Sequence, residues 1–226
     1  RPVRIPHIEK TEAPYGTSVF YRTGRDSFSS ADSVRVGSDN PPGCHSLPTR
    51  SNPSYCKKTK TPAVIYTTGL SNEQVGKMKE VSEYLPVFYS RNMSLGVNLL
   101  AELSKITAKI LGSDFDIEII EKHHNQKLDA PSGTAITIAK DILANVERKK
   151  NWRLNEFKST DELQVVSKRL GTVPGTHIVE YDSADDTLEI KHSAKSRRGL
   201  AFGAVLAAEF VQGKKGVFGM KDLLDI

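Results

Sequence analysis

Apolar residues are sparse and unpatterned in the first quarter of this chain and recur with readable periods after Thr61. Residues 1–56 hold seven of the eleven prolines and one leucine, Leu47. Asn40-Pro41 and Pro41-Pro42 mark loop there, and no window carries a convincing helical or strand period. Pro62 to Tyr66 is a short apolar run of buried-strand type ending in the turn Thr67-Thr68-Gly69. Ser71 and Gln74 have capping-box spacing, which predicts a helix through Met78, Val81 and Tyr84 that Pro86 stops. Pro86 to Tyr89 reads as a second strand, so residues 61–90 form a strand-helix-strand unit of the parallel-sheet kind.

The spacing next predicts a helix from Ser94 to Leu111, with Val97, Leu100, Leu103, Ile106, Ile110 and Leu111 on one broad face. Phe115, Ile117 and Ile119 alternate with Asp116, Glu118 and Ile120 in a strand running toward His123. Ala135, Ile138, Ala139, Ile142, Leu143 and Val146 then fall at helical steps behind Ser132-Gly133-Thr134. Residues 149–162 are polar, and Glu147 to Lys150 and Trp152 read as surface or packing features. Thr176 to Tyr181 and Thr187 to His192 flank a turn-rich segment as an antiparallel hairpin. A last helix runs from Leu200 to about Gln212 with Phe202, Val205, Leu206 and Phe210.

The run from His123 to Ala135 concentrates reactive groups. Gly133 and Thr134 open a helix, whose first N–H groups and macrodipole favour an anion such as a carboxylate. Lys127 adds a full positive charge, and His123 or His124 can give a proton near neutral pH. Neighbouring strand residues point to opposite faces, so only one of the two histidines is placed to act directly. The pair lacks the i, i+4 spacing of helical metal ligands and has no third ligand at a clear distance, so no metal is expected. Ser132 alone reads as a helix cap and Asp129-Ala130-Pro131 as a turn.

Composition changes this picture little. The net charge of +5 arises from 32 basic residues among 27 acidic ones without a clustered block, which speaks against a nucleic-acid footprint and suits anionic ligands. Cys44 and Cys56 have neither disulfide-framework nor metal spacing, and a reducing, cytoplasmic setting is expected. No apolar run approaches the ~18 residues of a membrane span, and no secretory leader pattern opens the chain.

The motif His-His-x-x-Lys-x-Asp-Ala-Pro-Ser-Gly-Thr-Ala, preceded by Glu121, resembles the signature of the 4-hydroxy-tetrahydrodipicolinate reductase family. The resemblance runs from about Tyr55 to Ile226. It takes in Tyr66 to Gly69, Ser90 to Asn98, Val173 to His177 and Gly219 to Leu224. It implies an α/β protein with a Rossmann-like nucleotide-binding domain, aberrant at its N-terminus, and an α+β substrate and tetramerisation domain with a mixed sheet. The implied boundaries are an anomalous segment over 1–56, the later nucleotide-binding part over 57–94, the substrate domain over 95–200, and a helix and tail over 201–226 that return to the first domain.

By position, the resemblance makes His123 the proton donor and Lys127 a second catalytic cation, with His124, Gly133 and Thr134 holding a dicarboxylate. Tyr66, Thr67 and Thr68, and Ser90, Arg91, Asn92 and Met93, match two loops that touch NADPH or NADH, with Tyr66 where the family has glycine. Arg197 matches a basic position near the substrate. The implied reaction reduces a cyclic unsaturated dicarboxylate in lysine and diaminopimelate synthesis, within a homotetramer that binds neither nucleic acid nor membrane.

The family's Gly-x-x-Gly-x-Met turn, where a pyrophosphate meets a helix N-terminus, has no counterpart in residues 1–56. Their glycines, Gly16, Gly24, Gly37 and Gly43, are never three apart. Two origins fit this segment: a wrong-frame translation or other sequence artefact that rejoins the true frame near Tyr55, or a diverged or fused N-terminus that has lost cofactor binding. The second leads to a rival reading, a non-catalytic oligomer that keeps the dicarboxylate pocket without binding a dinucleotide.

Overall fold

In a computed structural model, residues 19–21, 34–37, 62–66, 70–156 and 158–226 are described, the first two groups by their backbone alone. Thr67 and Thr68 lie outside the described residues, as do Cys44 and Cys56. The chain divides into two units, one of residues 1–93 with 200–226, the other of residues 94–199.

The first unit is built on a five-stranded sheet in the order β1 (Val19–Tyr21), β2 (Val34–Gly37), β3 (Ala63–Ile65), β4 (Pro86–Tyr89) and β10 (Gly216–Phe218). All neighbours are parallel except β1 and β2. Strands β1 and β2 fall in the segment where no strand is expected; at three and four residues they are too short to register as a period. Strands β3 and β4 are joined by α1 (Asn72–Ser82), which opens with the expected capping box: Gln74 N–H donates to Ser71 Oγ, and Ser71 N–H to Gln74 Oε1. Tyr84 lies beyond the helix and is exposed, not on its buried face.

Period-two alternation gives this sheet two apolar faces. Ala63, Ile65 and Val87 pack with Met78 and Val81 of α1. Phe88 meets Phe210 of α4 (Arg198–Phe210) edge-on, and Phe210 meets Phe218 of β10 in the same way. A parallel sheet covered on both sides is a Rossmann-like arrangement. Strand β10 and the short α5 (Met220–Leu224), past the last predicted helix, escaped the sequence reading.

The second unit holds a mixed sheet in the order β6 (Asn151–Leu154), β7 (Glu162–Arg169), β5 (Asp116–His123), β8 (Thr176–Asp182) and β9 (Thr187–Ser193). Strands β6, β7 and β5 run parallel, while β8 and β9 are antiparallel additions. Helices α2 (Leu95–Leu111) and α3 (Gly133–Leu143) cover one face. Leu100, Ala108, Ile138 and Ile142 pack there on Ile117, Ile119, Leu163, Val165 and Val179. Each of the leucine, isoleucine and valine side chains contributes about 1.5–3 kcal/mol by leaving water.

Two expectations are corrected here. The buried face of α2 is Val97, Leu100, Ser104 and Ala108, whereas Leu103, Ile106 and Ile110 are exposed. Small residues win the contact because they let the helix approach the sheet: Ser104 Oγ donates to Leu100 O, and Tyr181 Oη donates to Ser104 O at 2.5 Å. The polar stretch over 149–162 contains β6 and leads directly into β7, whose Leu163 and Val165 are buried while Gln164 between them is half-buried. Within the same stretch Lys149 is a buried packing residue, one of the two readings its sequence allows. Its ammonium donates to Thr160 O and Glu162 O at 2.8 Å, while Arg148 Nε bonds Gly112 O at 2.7 Å.

Candidate active site

The apolar alternation of β5 does not end with the hydrophobic residues. Ile117, Ile119, Glu121 and His123 all occupy buried positions on one side of the strand, so a carboxylate and an imidazole stand where core residues belong. A buried carboxylate persists only when partnered. Glu121 Oε1 accepts from Ser167 Oγ at 2.7 Å, from both terminal nitrogens of Arg169 at 3.0 Å, and from Ser132 N–H at 3.3 Å. Its Oε2 faces His123 Nδ1 in direct contact.

His123 closes the strand and is held by the backbone on both sides of the motif: Leu170 N–H donates to His123 O at 2.8 Å and Asn125 N–H to Gly171 O at 3.1 Å. The His177 ring lies edge-on to His123 with centroids 5.1 Å apart, and its Nε2 is 3.1 Å from Ser132 Oγ. Ser132 caps α3 by accepting from Ala135 N–H. Gly175 sits beside the outer end of the imidazole: a Cβ there would come within 3.3 Å of His123 Nε2.

The other expected substrate groups are local to this loop. His124 follows the strand half-buried, while His123 is buried, so the two rings differ in environment as alternation requires. Lys127 pairs with Asp129 at 2.7 Å and its N–H donates to His124 O. Gly133 is exposed and Thr134 half-buried at the positive end of α3. The structure therefore brings His123, His124, Lys127, Gly133 and Thr134 onto one strand end, loop and helix start, and places Arg197 as an exposed residue before α4.

Tyr66 and Ser90 to Met93 lie in the first unit, directly after the C-terminal ends of the adjacent parallel strands β3 and β4, where open α/β sheets bind ligands. Ser90 Oγ donates to Asn92 O at 2.7 Å, and Ser90 N–H to Ile65 O at 3.1 Å. Met93 is fully buried, so it supports the loop, while Arg91 is exposed.

Glu121, Ser167, Arg169 and His177 were not singled out as site residues by sequence reasoning. The signal for Glu121 was its in-phase place on the apolar face of β5. Arg169 sits at the end of a strand that was not read, and it contacts Glu121 across 48 positions. Glu121, His123 and His177 hold ligand-type atoms within 4.8 Å of one another. Arg169 already occupies the carboxylate, and the surrounding Lys127 adds further positive charge, an arrangement suited to an anion rather than a metal cation.

Electrostatics differ sharply across the cluster. Burial pushes the Glu121 carboxyl up, but His123, Ser167 and Arg169 together outweigh it and hold it at about 2, against an ordinary 4.5. Burial, assisted by His123, lowers His177 from 6.5 to about 4, so it stays neutral at pH 7. In both cases the folded value is depressed, which contributes stability that is complete above the unfolded value and lost as pH falls through the folded one. Acid should therefore weaken the fold from pH 6.5 downward, His177 first and Glu121 below 4.5. A His177→Gln variant is expected to lose less stability from pH 6.5 to 4.5 than wild type, by on the order of 2 kcal/mol, while His192, also lowered by burial, goes on weakening both. Parallel acid titrations of the two proteins would count against this account.

Comparison with known proteins identifies the family. The family model for the C-terminus of dihydrodipicolinate reductase matches residues 96–224, and that for its N-terminus residues 45–93, beginning ahead of Tyr55. The 4-hydroxy-tetrahydrodipicolinate reductase of Christiangramia forsetii is 45% identical over 177 residues, covering 76% of this chain and 73% of that protein. That of Campylobacter lari is 38% identical over 224 residues, covering 92% and 88%. A solved structure of dipicolinate-bound dihydrodipicolinate reductase from Paenisporosarcina sp. TG-14 is similar with a TM-score of 0.62 at 25% identity, covering 74% of this chain and 66% of that one. With both family models matched in order and relatives of 38–45% identity covered over most of their length, the chain belongs to the dihydrodipicolinate reductase family.

Proposed function

We propose that this chain reduces 4-hydroxy-2,3,4,5-tetrahydrodipicolinate to tetrahydrodipicolinate, using NADPH or NADH, in lysine and diaminopimelate synthesis. The observation that carries the reading is the buried Glu121–His123 couple at the end of β5, set beside Lys127 and the opening turn of α3. His123 gives a proton through Nε2, the ring nitrogen not facing Glu121. Lys127 and the α3 N-terminus, with Gly133 and Thr134, hold and neutralise the substrate's carboxylates, and His124 lines the same loop. The nicotinamide cofactor supplies the hydride. Tyr66, Thr67, Thr68, Ser90, Arg91, Asn92 and Met93 belong to the loops assigned to it, and the place of Tyr66 and of Ser90 to Met93 after parallel strand ends supports that assignment.

The first unit is then the nucleotide-binding domain, the second the substrate domain, and residues 201–226 complete the first. A homotetramer in the cytoplasm is part of the same proposal. Among the described residues, no helix is long and apolar enough to cross a membrane. Titrating the chain with NADPH and NADH, with and without pyridine-2,6-dicarboxylate, tests the reading. Saturable dinucleotide binding with turnover is expected. Binding of the dicarboxylate without either dinucleotide would overturn it and leave a non-catalytic homologue.

A further inference from the structure

Four charged side chains, Glu121, Lys127, Asp129 and Arg169, converge on the loop between β5 and α3, and Arg169 has no part in the reaction just described. The guanidinium of Arg169 reaches Glu121 Oε1 with two nitrogens, and also donates to Lys127 O and Asp129 O. It therefore ties the carboxylate facing His123 to the backbone that carries Lys127. We propose that Glu121, clamped by Arg169, is a positioning residue for His123: it fixes the ring with Nδ1 inward and Nε2 outward, and it stabilises the protonated imidazole that donates.

The geometry around the ring supports this. Nδ1 faces Glu121 Oε2, the His177 ring closes one flank, and Nε2 emerges beside Gly175, whose lack of a side chain leaves space for an approaching substrate. The charged and titratable groups around His123 are Glu121 on its own strand, Arg169 on β7, His177 on β8 with His192 beyond it on β9, and Lys127 with Asp129 in the loop. Among these, Glu121 is the anion in contact with the ring, and it is fully buried, so water screens it little. Arg169 keeps it ionised and in place. A carboxylate held against one imidazole nitrogen selects the tautomer and favours the imidazolium.

The inference rests on His123 being the proton donor, and the experiment separates the two. Steady-state rates across pH are measured for wild type, Glu121→Gln, Arg169→Lys, His123→Gln and the Glu121→Gln/His123→Gln double variant, alongside affinity for pyridine-2,6-dicarboxylate. Glu121→Gln is expected to lower kcat about 10- to 100-fold with KM changed less than about threefold, and to move the basic limb of the profile to lower pH. In the His123→Gln background the same change should cost little more, because Glu121 acts through that ring.

An equal loss in both backgrounds, or an unmoved pH profile, overturns the proposal. Should Glu121→Gln fail to bind the dicarboxylate through misfolding, Arg169→Lys takes its place: it keeps the charge but loses the fork, and a pH limb shifted in the same direction is expected. Full activity of His123→Gln would remove the proton-donor reading itself, and the positioning role with it.

Discussion

A His123→Gln variant is expected to lose about 10²- to 10⁴-fold in kcat while binding pyridine-2,6-dicarboxylate within a few fold of wild type. The size follows from what is removed. A positioned acid at strand end is replaced by an amide that fills similar space but cannot give up a proton in the working range. Binding should survive because Lys127 and the α3 N-terminus, which attract carboxylates, are untouched. Single-turnover rates with the reduced dinucleotide, beside equilibrium binding of the dicarboxylate, make the measurement. Loss of binding in step with rate would mean that His123 holds the ligand and another group supplies the proton.

The largest effect on stability is expected at Gly203. A Cβ built there would lie 1.7 Å from Met93 O and 2.8 Å from Met93 C, and the obstacle is backbone, which cannot swing aside as a side chain does. Gly203→Ala should therefore destabilise the protein by about 3 kcal/mol or more, which for a chain of this size lowers Tm by roughly 10 °C. Gly199→Ala, near the start of the same helix with nothing within 4 Å of its Cβ, is the control and should be neutral or mildly stabilising. Equal melting of the two variants would refute the close approach of α4 to Met93. Under the proposed function the contact bears on cofactor binding as well, since Met93 ends the loop that carries Ser90, Arg91 and Asn92.

The parts legible in the sequence were those written in short range. The capping box at Ser71, the strand leading to His123, the cap at Ser132 and the β8–β9 hairpin each depend on residues a few positions apart. What stayed hidden depended on partners far along the chain. Nothing near Arg169 announces that it will meet Glu121, and nothing near Ser104 announces Tyr181. On α2 the apolar count pointed to Leu103, Ile106 and Ile110, but closeness to the sheet is decided by side-chain size, and Ser104 and Ala108 took the buried positions. Strand β7 was obscured because only Leu163 and Val165 face the core while Gln164 and Ser167 dilute the pattern. Glu121 was visible yet unassigned, since its role is set by what surrounds it.

The order in which the chain leaves the ribosome gives the two units different histories. Residues 94–199 are contiguous, so the second unit has all its strands once they have emerged and can close while synthesis continues. The first unit is interrupted by it. Its β4 pairs on one side with β10, which lies near the end of the chain, and the aromatic cover of Phe88 comes from Phe210 in the same late stretch. Until those residues arrive, β4 has an open edge and an uncovered apolar face, the kind of surface that chaperones capture during translation.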